Sequence, residues 1–136
     1  MNNVSYNERS VGRSMTLFNK REIGNKYEAL ANQYLSRQGL NLIEHNFTTK
    51  FGEIDLIMRD KDTIVFVEVK YRKHNKFGDA AEFVNHSKRL KLIKTAYVWL
   101  SRQNRSPHST SFRFDVVAIH QDGTDINWIK NAITQD

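Results

Sequence analysis

Apolar residues recur along this chain with two distinct periods. Between residues 20 and 38, Ile23, Tyr27, Leu30, Ala31, Tyr34 and Leu35 return at helical spacing, and Gly39 stands where a helix C′ residue belongs. The spacing predicts a first helix over 20–38. Three strand-like runs follow: 40–47, 53–59 (EIDLIMR) after Gly52, and 63–72 (TIVFVEVKYR), the last rich in β-branched and aromatic residues. Lys61-Asp62 connects the second run to the third, so the three predict an antiparallel meander. A second helical stripe of Leu90, Ile93, Ala96, Tyr97 and Leu100 lies in 86–103, with Asn85 or Ser87 as its cap. A fourth strand is predicted over 112–119, before the Gln121-Asp122-Gly123 turn, and 126–133 fits a short strand or a short helix. In the order αβββαβ the second helix is a crossover that returns strand four parallel to strand three. The expected fold is α/β, a mixed central sheet flanked by helices. Residues 1–19 are polar and aperiodic, the pattern of a flexible tail, and 20–136 form the single expected domain.

Composition adds a partner class. The chain has 136 residues, with 21 Lys/Arg against 15 Asp/Glu, a net charge of +6. The surplus is concentrated: residues 69–105 hold ten basic residues and two acids, Asp79 and Glu82, a balance of +8 that leaves −2 for the rest. Arg72, Lys73, Lys76, Lys88, Arg89 and Lys91 of that segment are the candidate nucleic-acid contacts, because a basic segment on a near-neutral scaffold suits a polyanion. A solvated lysine-rich helix face accounts for the same charges. The absence of cysteine excludes disulfides, thiolate zinc sites and a cysteine nucleophile. The polar start offers no secretory signal, and the apolar run 64–69 is interrupted by Glu68, far short of the ~20 residues that span a bilayer. A cytoplasmic protein with no membrane partner is expected.

The candidate chemistry lies in acids placed within apolar strands. In TIVFVEVKYR, Phe66, Glu68 and Lys70 share one face and Val65, Val67 and Val69 the other. Residues two apart on a strand are separated by about 6.6 Å, so Glu68 and Lys70 can flank one small site. The preceding strand carries Asp55, and a meander lets Asp55 and Glu68 converge. Two carboxylates on adjacent strands offer hard oxygens to Mg²⁺ or Mn²⁺, and a lysine beside them can orient or deprotonate a water. A buried ion pair between Lys70 and either acid is the competing account, although two acids against one base leave charge uncompensated. Glu28 falls at the edge of the first helix's apolar arc, where it either borders the sheet or faces solvent.

At these positions the sequence resembles a known group. Gly52-Glu-Ile-Asp-Leu-Ile57, Val65-Phe-Val-Glu-Val-Lys70, Phe77-Gly78, Lys88 and Arg113-Phe-Asp-Val-Val117 resemble the YraN-like family of bacterial proteins. That family is similar in turn to the PD-(D/E)xK superfamily of restriction-endonuclease-like and Holliday-junction-resolvase-like nucleases. The resemblance covers about residues 20–120 and implies a restriction-endonuclease-like αβββαβ core. It also implies that Asp55 and Glu68 bind metal with the Val69 carbonyl. Lys70 would position the attacking water, Glu28 would add a further carboxylate, and Lys88 would touch phosphate. The chain departs from the family at Tyr27-Glu28, where Gly-Glu is usual, and at Thr48 or Thr49 after Asn46-Phe47, where a basic residue is usual.

Other polar residues are less informative. Asp115 reads as a structural partner for Arg113 or a helix N-terminus, with a site role as the alternative. His45, His74, His86, His108 and His120 show no zinc spacing, Tyr97 reads as core, and Tyr71, Trp99 and Trp128 are undecided. The expected protein is a Mg²⁺-dependent, structure-specific DNA endonuclease, and a homodimer is the simplest way for so small an enzyme to cut both strands. The alternative is a non-catalytic nucleic-acid-binding or adaptor module of the same fold.

Overall fold

A computed structural model describes residues 15–72, 85–120 and 123–134. Helix α1 spans Met15–Arg37, followed by β1 (Asn41–Thr48), β2 (Glu53–Asp60), β3 (Thr63–Arg72), α2 (His86–Arg102), β4 (Phe112–His120) and β5 (Asp125–Ile133). The sheet runs β1-β2-β3-β4-β5. All neighbours are antiparallel except β3 and β4, which pair in parallel from Ile64↔Phe112 to Arg72↔His120. The order αβββαβ and the mixed sheet agree with expectation, and one strand is added at the end.

Alternation along β3 divides the core into two layers. Ile64 and Phe66 pack with Ile57, Phe114 and Val116 against Leu92, Ala96, Trp99 and Leu100 of α2. Val65 and Val67 pack with Leu56, Met58, Val117 and Ile119 against Tyr27, Ala31 and Leu35 of α1. Phe66 is the hub of the first layer, edge-on to Trp99 at 5.8 Å and close to Phe112 and Phe114. Such aromatic contacts contribute roughly 0.5–1.5 kcal/mol each beyond their buried area.

Gly39 ends α1 as its position predicts. With φ +103°, it lets Leu40 N–H donate to Leu35 O (3.1 Å) while its own N–H donates to Ser36 O (3.0 Å). Leu35 and Leu40 then enter the same core layer, the contact that accompanies this type of helix end.

Three expectations change. Helix α1 begins at Met15, five residues before the predicted start and inside the stretch read as a tail. Residues 15–19 contain no proline or glycine to stop a helix. On α2 the buried stripe is Leu92, Thr95, Ala96, Trp99 and Leu100, whereas Leu90 (44% exposed) and Tyr97 (37%) face outward. Trp99 turns the helix, because its ring fits against Phe66 and its Nε1–H donates to Glu44 Oε1 at 2.9 Å. Residues 126–133 form a strand whose alternation slips: Ile126 and Trp128 face α1, while Ile129, Ala132 and Ile133 face α2. The slip coincides with a register shift against β4 and with Asn131 at φ 52°.

Candidate active site

Asp55 stands where β2 parts from β3. Ladder pairing between these strands ends at Leu56↔Val67, and the face alternation of β2 breaks at the same point. Ile54 packs on the α2 side and Leu56 on the α1 side, although strand residues two apart ordinarily share a face. The Asp55 carboxylate takes the place of the lost ladder bond: its Oδ2 accepts from Val69 N–H at 2.8 Å. In an extended strand the carbonyl points to the same side as the N–H of its residue, so the Val69 carbonyl faces this gap too.

Glu68 follows Phe66 on the α2 face and is 7% exposed. Its Oε2 lies 2.6 Å from Lys88 Nζ and 3.5 Å from Lys70 Nζ. Lys88 reaches it from the first turn of α2, whose N-cap is Asn85: the Asn85 Oδ1 accepts from Lys88 N–H at 2.8 Å. That turn contains no acid, and a lysine near the positive end of a helix dipole is disfavoured, so Glu68 offsets its position.

Glu28 arrives from α1, its carboxyl within hydrogen-bond reach of the Asp55 carboxyl. A second set of contacts holds it from below. With its amide oriented to satisfy both ends, Asn46 Nδ2 donates to Glu28 Oε1 (2.9 Å) and Glu53 Oε2 (3.2 Å), and its Oδ1 accepts from His45 Nδ1 (3.2 Å). A cavity of about 400 Å³ opens beside Glu28, lined also by Asn25, Asn32, Leu42, His45 and Asn46. Glu53 and Asn46 were not among the residues singled out from the sequence, and His45 was weighed there only for zinc spacing. Glu53 had a signal, since it lies two residues before Asp55; the position of Asn46 depends on a left-handed φ of 55° in an edge strand and had none.

The electrostatics follow from this crowding. Burial, then the charge of Glu68 and those of Glu28 and Glu53, push the Asp55 carboxyl up to about 8 against the Val69 hydrogen bond. Burial and Glu53 raise Glu28 above the ordinary carboxylate range. Burial and the hydrogen bond from Lys88 lower the Lys70 ammonium, so this amine loses its proton more readily than an exposed lysine. Burial would lower Lys88 as well, but its bonds to Glu68 and Lys70 outweigh that and keep it charged. Four carboxyl groups, Glu28, Glu53, Asp55 and Glu68, therefore face two amines, Lys70 and Lys88.

That donor set has the chemistry of a hard divalent cation site, oxygen-rich and short of positive charge. Among the described residues no three Asp, Glu or His side chains already close around one point. The groups at the strand parting that could hold such a cation are the Asp55 and Glu68 carboxylates and the Val69 carbonyl.

The basic residues divide differently. Arg72 is half-buried at the end of β3, opposite His120; Arg89 is half-buried on α2, and Lys91 is exposed one turn after Lys88. Lys73, Lys76, His74 and the Phe77-Gly78 pair lie outside the described residues. Asp115 is structural, as favoured: fully buried, it accepts from Arg113 Nε (3.0 Å), Trp128 Nε1 (2.9 Å) and Asn131 N–H (2.8 Å). Tyr71 stacks on Tyr27, with centroids 4.1 Å apart.

Residues 27–119, which include every acid and amine of this cluster, match the family described as "Uncharacterised protein family UPF0102". The chain belongs to that family. A UPF0102 protein of Vibrio vulnificus (strain YJ016) is 64% identical over 121 residues, 89% of this chain and 99% of its own length. One of Vibrio cholerae (strain M66-2) is 53% identical over the same shares, and one of Aliivibrio salmonicida (strain LFI1238) is 56% identical over 117 residues, 86% and 95% of the two chains. The UPF0102, or YraN, family is a member of the restriction-endonuclease-like superfamily, in agreement with the αβββαβ core of this UPF0102 chain. Among the described residues no helix is long and apolar enough to cross a membrane.

Proposed function

We propose that this UPF0102 protein binds nucleic acid and is a Mg²⁺- or Mn²⁺-dependent endonuclease that selects DNA by structure rather than sequence. The observation that carries the reading is the unbalanced cluster at the β2–β3 parting: Asp55, held by Val69 N–H, faces Glu68, with Lys70 beside it. Hydrolysis joins a water oxygen to phosphorus, removes a proton from that water, and breaks the bond to the leaving sugar oxygen, which takes up a proton from solvent. A divalent cation bound there would supply Lewis-acid polarisation of the phosphate. Lys70 takes or orients the water proton, since burial and Lys88 favour its neutral amine. Lys88 keeps its charge at the N-terminal turn of α2 and holds phosphate, an anion that this helix end also favours. The remaining basic residues grip the backbone without reading bases, and a homodimer belongs to the proposal for two-strand cutting.

One observation favours the second reading, a non-catalytic nucleic-acid-binding or adaptor module: Glu68 is already engaged by two lysines. Branched, flapped and single-stranded DNA, each with Mg²⁺ or Mn²⁺, separate the two. The enzyme predicts cleavage that Glu68→Gln abolishes while binding survives, and calorimetric Mg²⁺ uptake that Asp55→Asn removes. Intact DNA in every combination overturns catalysis and leaves the adaptor. Binding that persists in molar salt overturns the phosphate contacts of both.

A further inference from the structure

The tip of the β1–β2 hairpin presents an aromatic ring to solvent and is held there rigidly. Thr49 N–H donates to Gly52 O (2.8 Å), Phe51 N–H donates to Thr49 Oγ1 (3.0 Å), and Thr49 Oγ1 lies 3.5 Å from Thr95 Oγ1 on α2. Thr95 in turn donates to Lys91 O at 2.7 Å. Gly52 lies flat against the helix: a Cβ there would stand 3.4 Å from Thr95 Oγ1 and 3.5 Å from Lys91 Cβ. The docked turn leaves Phe51 36% exposed, with Lys50 Nζ 5.3 Å and Lys94 Nζ 5.7 Å from its ring centroid.

Between this tip and α2 lies a groove of about 430 Å³, lined by Lys50, Phe51, His86, Leu90, Lys91 and Lys94 and, among the described residues, by no acid. Phe51 and Leu90 give it an apolar surface, and the lysines give it positive charge. Lys91 follows Lys88 by one helical turn, and Phe51 precedes Asp55 by four residues, so the groove and the carboxylate cluster draw on the same end of α2 and on neighbouring parts of the β1–β2 hairpin.

We infer that this groove takes an unpaired segment of DNA, one base stacking on Phe51 while Lys50, Lys91 and Lys94 hold the flanking phosphates. The inference rests on the nucleic-acid reading above and deepens it by naming the substrate class: DNA with a single-stranded portion next to the reacting phosphate. A flat ring among cations matches the two surfaces of a single strand, its base faces and its phosphates. In a duplex the base faces are covered by their neighbours, and the exposed ring would have nothing to stack on.

Fluorescence anisotropy with labelled oligothymidylate and with a blunt duplex tests this in the full chain. Phe51→Leu should weaken oligothymidylate binding about tenfold and leave the blunt duplex within about twofold. Phe51→Trp should bind as tightly as the parent, and its added indole emission should be quenched by oligothymidylate but not by polyglutamate. Unchanged oligothymidylate affinity in Phe51→Leu overturns the inference, and so does an equal quench by polyglutamate, which would mean capture of any polyanion. If Phe51→Leu fails to fold, the Phe51→Trp quench decides alone. Failure of the parent protein to bind either DNA at low salt is a different result: it overturns the nucleic-acid reading itself.

Discussion

Two aspartates in apolar strands of the same sheet, Asp115 fully buried and Asp55 half-buried, meet opposite fates. Asp115 on β4 is enclosed by donors: Arg113, the Trp128 indole and the Asn131 amide all point at it, and Arg113 continues to Asp60 at 3.1 Å. Asp55 on β2 has one backbone donor and is otherwise surrounded by Glu28, Glu53 and Glu68. Placement of an acid in an apolar strand, with partial or full loss of water, is common to both. What separates them is whether the surroundings complete the charge, and the incomplete one is the candidate for an added cation.

The comparison can be broken most forcefully on its satisfied side. Arg113→Met leaves Asp115 buried with its charge uncompensated, and urea unfolding should show a loss of about 3 kcal/mol or more. A loss below about 1 kcal/mol would mean that Trp128 and Asn131 alone suffice.

An effect of opposite sign is expected at Asp55. Its carboxyl ionises near pH 8 in the fold and near the ordinary 3.8 in the unfolded chain. Between those values the folded state keeps a proton that the unfolded state has lost, so stability falls as pH rises across that window. Asp55→Asn preserves an acceptor for Val69 N–H and removes this dependence. It should match the parent near pH 4 and exceed it by a margin that grows toward pH 8 without divalent cation, at up to about 1.4 kcal/mol for each pH unit. An Asn variant less stable than the parent at pH 8 would place Asp55 beside Asp115 among the satisfied acids.

The smallest effect concerns how Lys88 is presented. Asn85→Ala removes the cap that places this lysine on Glu68, and should cost about 1 kcal/mol by thermal or urea unfolding. An unchanged midpoint would show that the ion pair with Glu68, rather than the cap, positions the first turn of α2.

Much of this could be read along the chain, for reasons that individual residues make plain. The alternation of TIVFVEVKYR and the short Lys61-Asp62 connection predict β3, the meander and the meeting of Asp55 with Glu68. Gly39 and Asn85 mark helix ends because each satisfies backbone groups within its own neighbourhood. The buried face of α2 was harder to read. Apolar side chains occupy 90, 92, 93 and 96–100, so two stripes one position apart are nearly equivalent until Trp99 must fit Phe66 and reach Glu44. β5 was obscured by its slip in alternation, which a fixed period does not describe. Asn46 entered the site through contacts of β1 with α1 and β2 that are remote in sequence from Asp55 and Glu68, whereas Glu53 stands only two residues before Asp55.

Local periodicity and spacing therefore dictate the elements, their order and the pair of acids on neighbouring strands, because each depends on residues a few positions apart. The roll of β2 at Asp55, the reach of Lys88 from α2 and the donors that neutralise Asp115 but not Asp55 arise elsewhere. They depend on which groups the folded chain brings within about 3 Å of one another, and the charge balance of a buried acid exists only once those neighbours are in place.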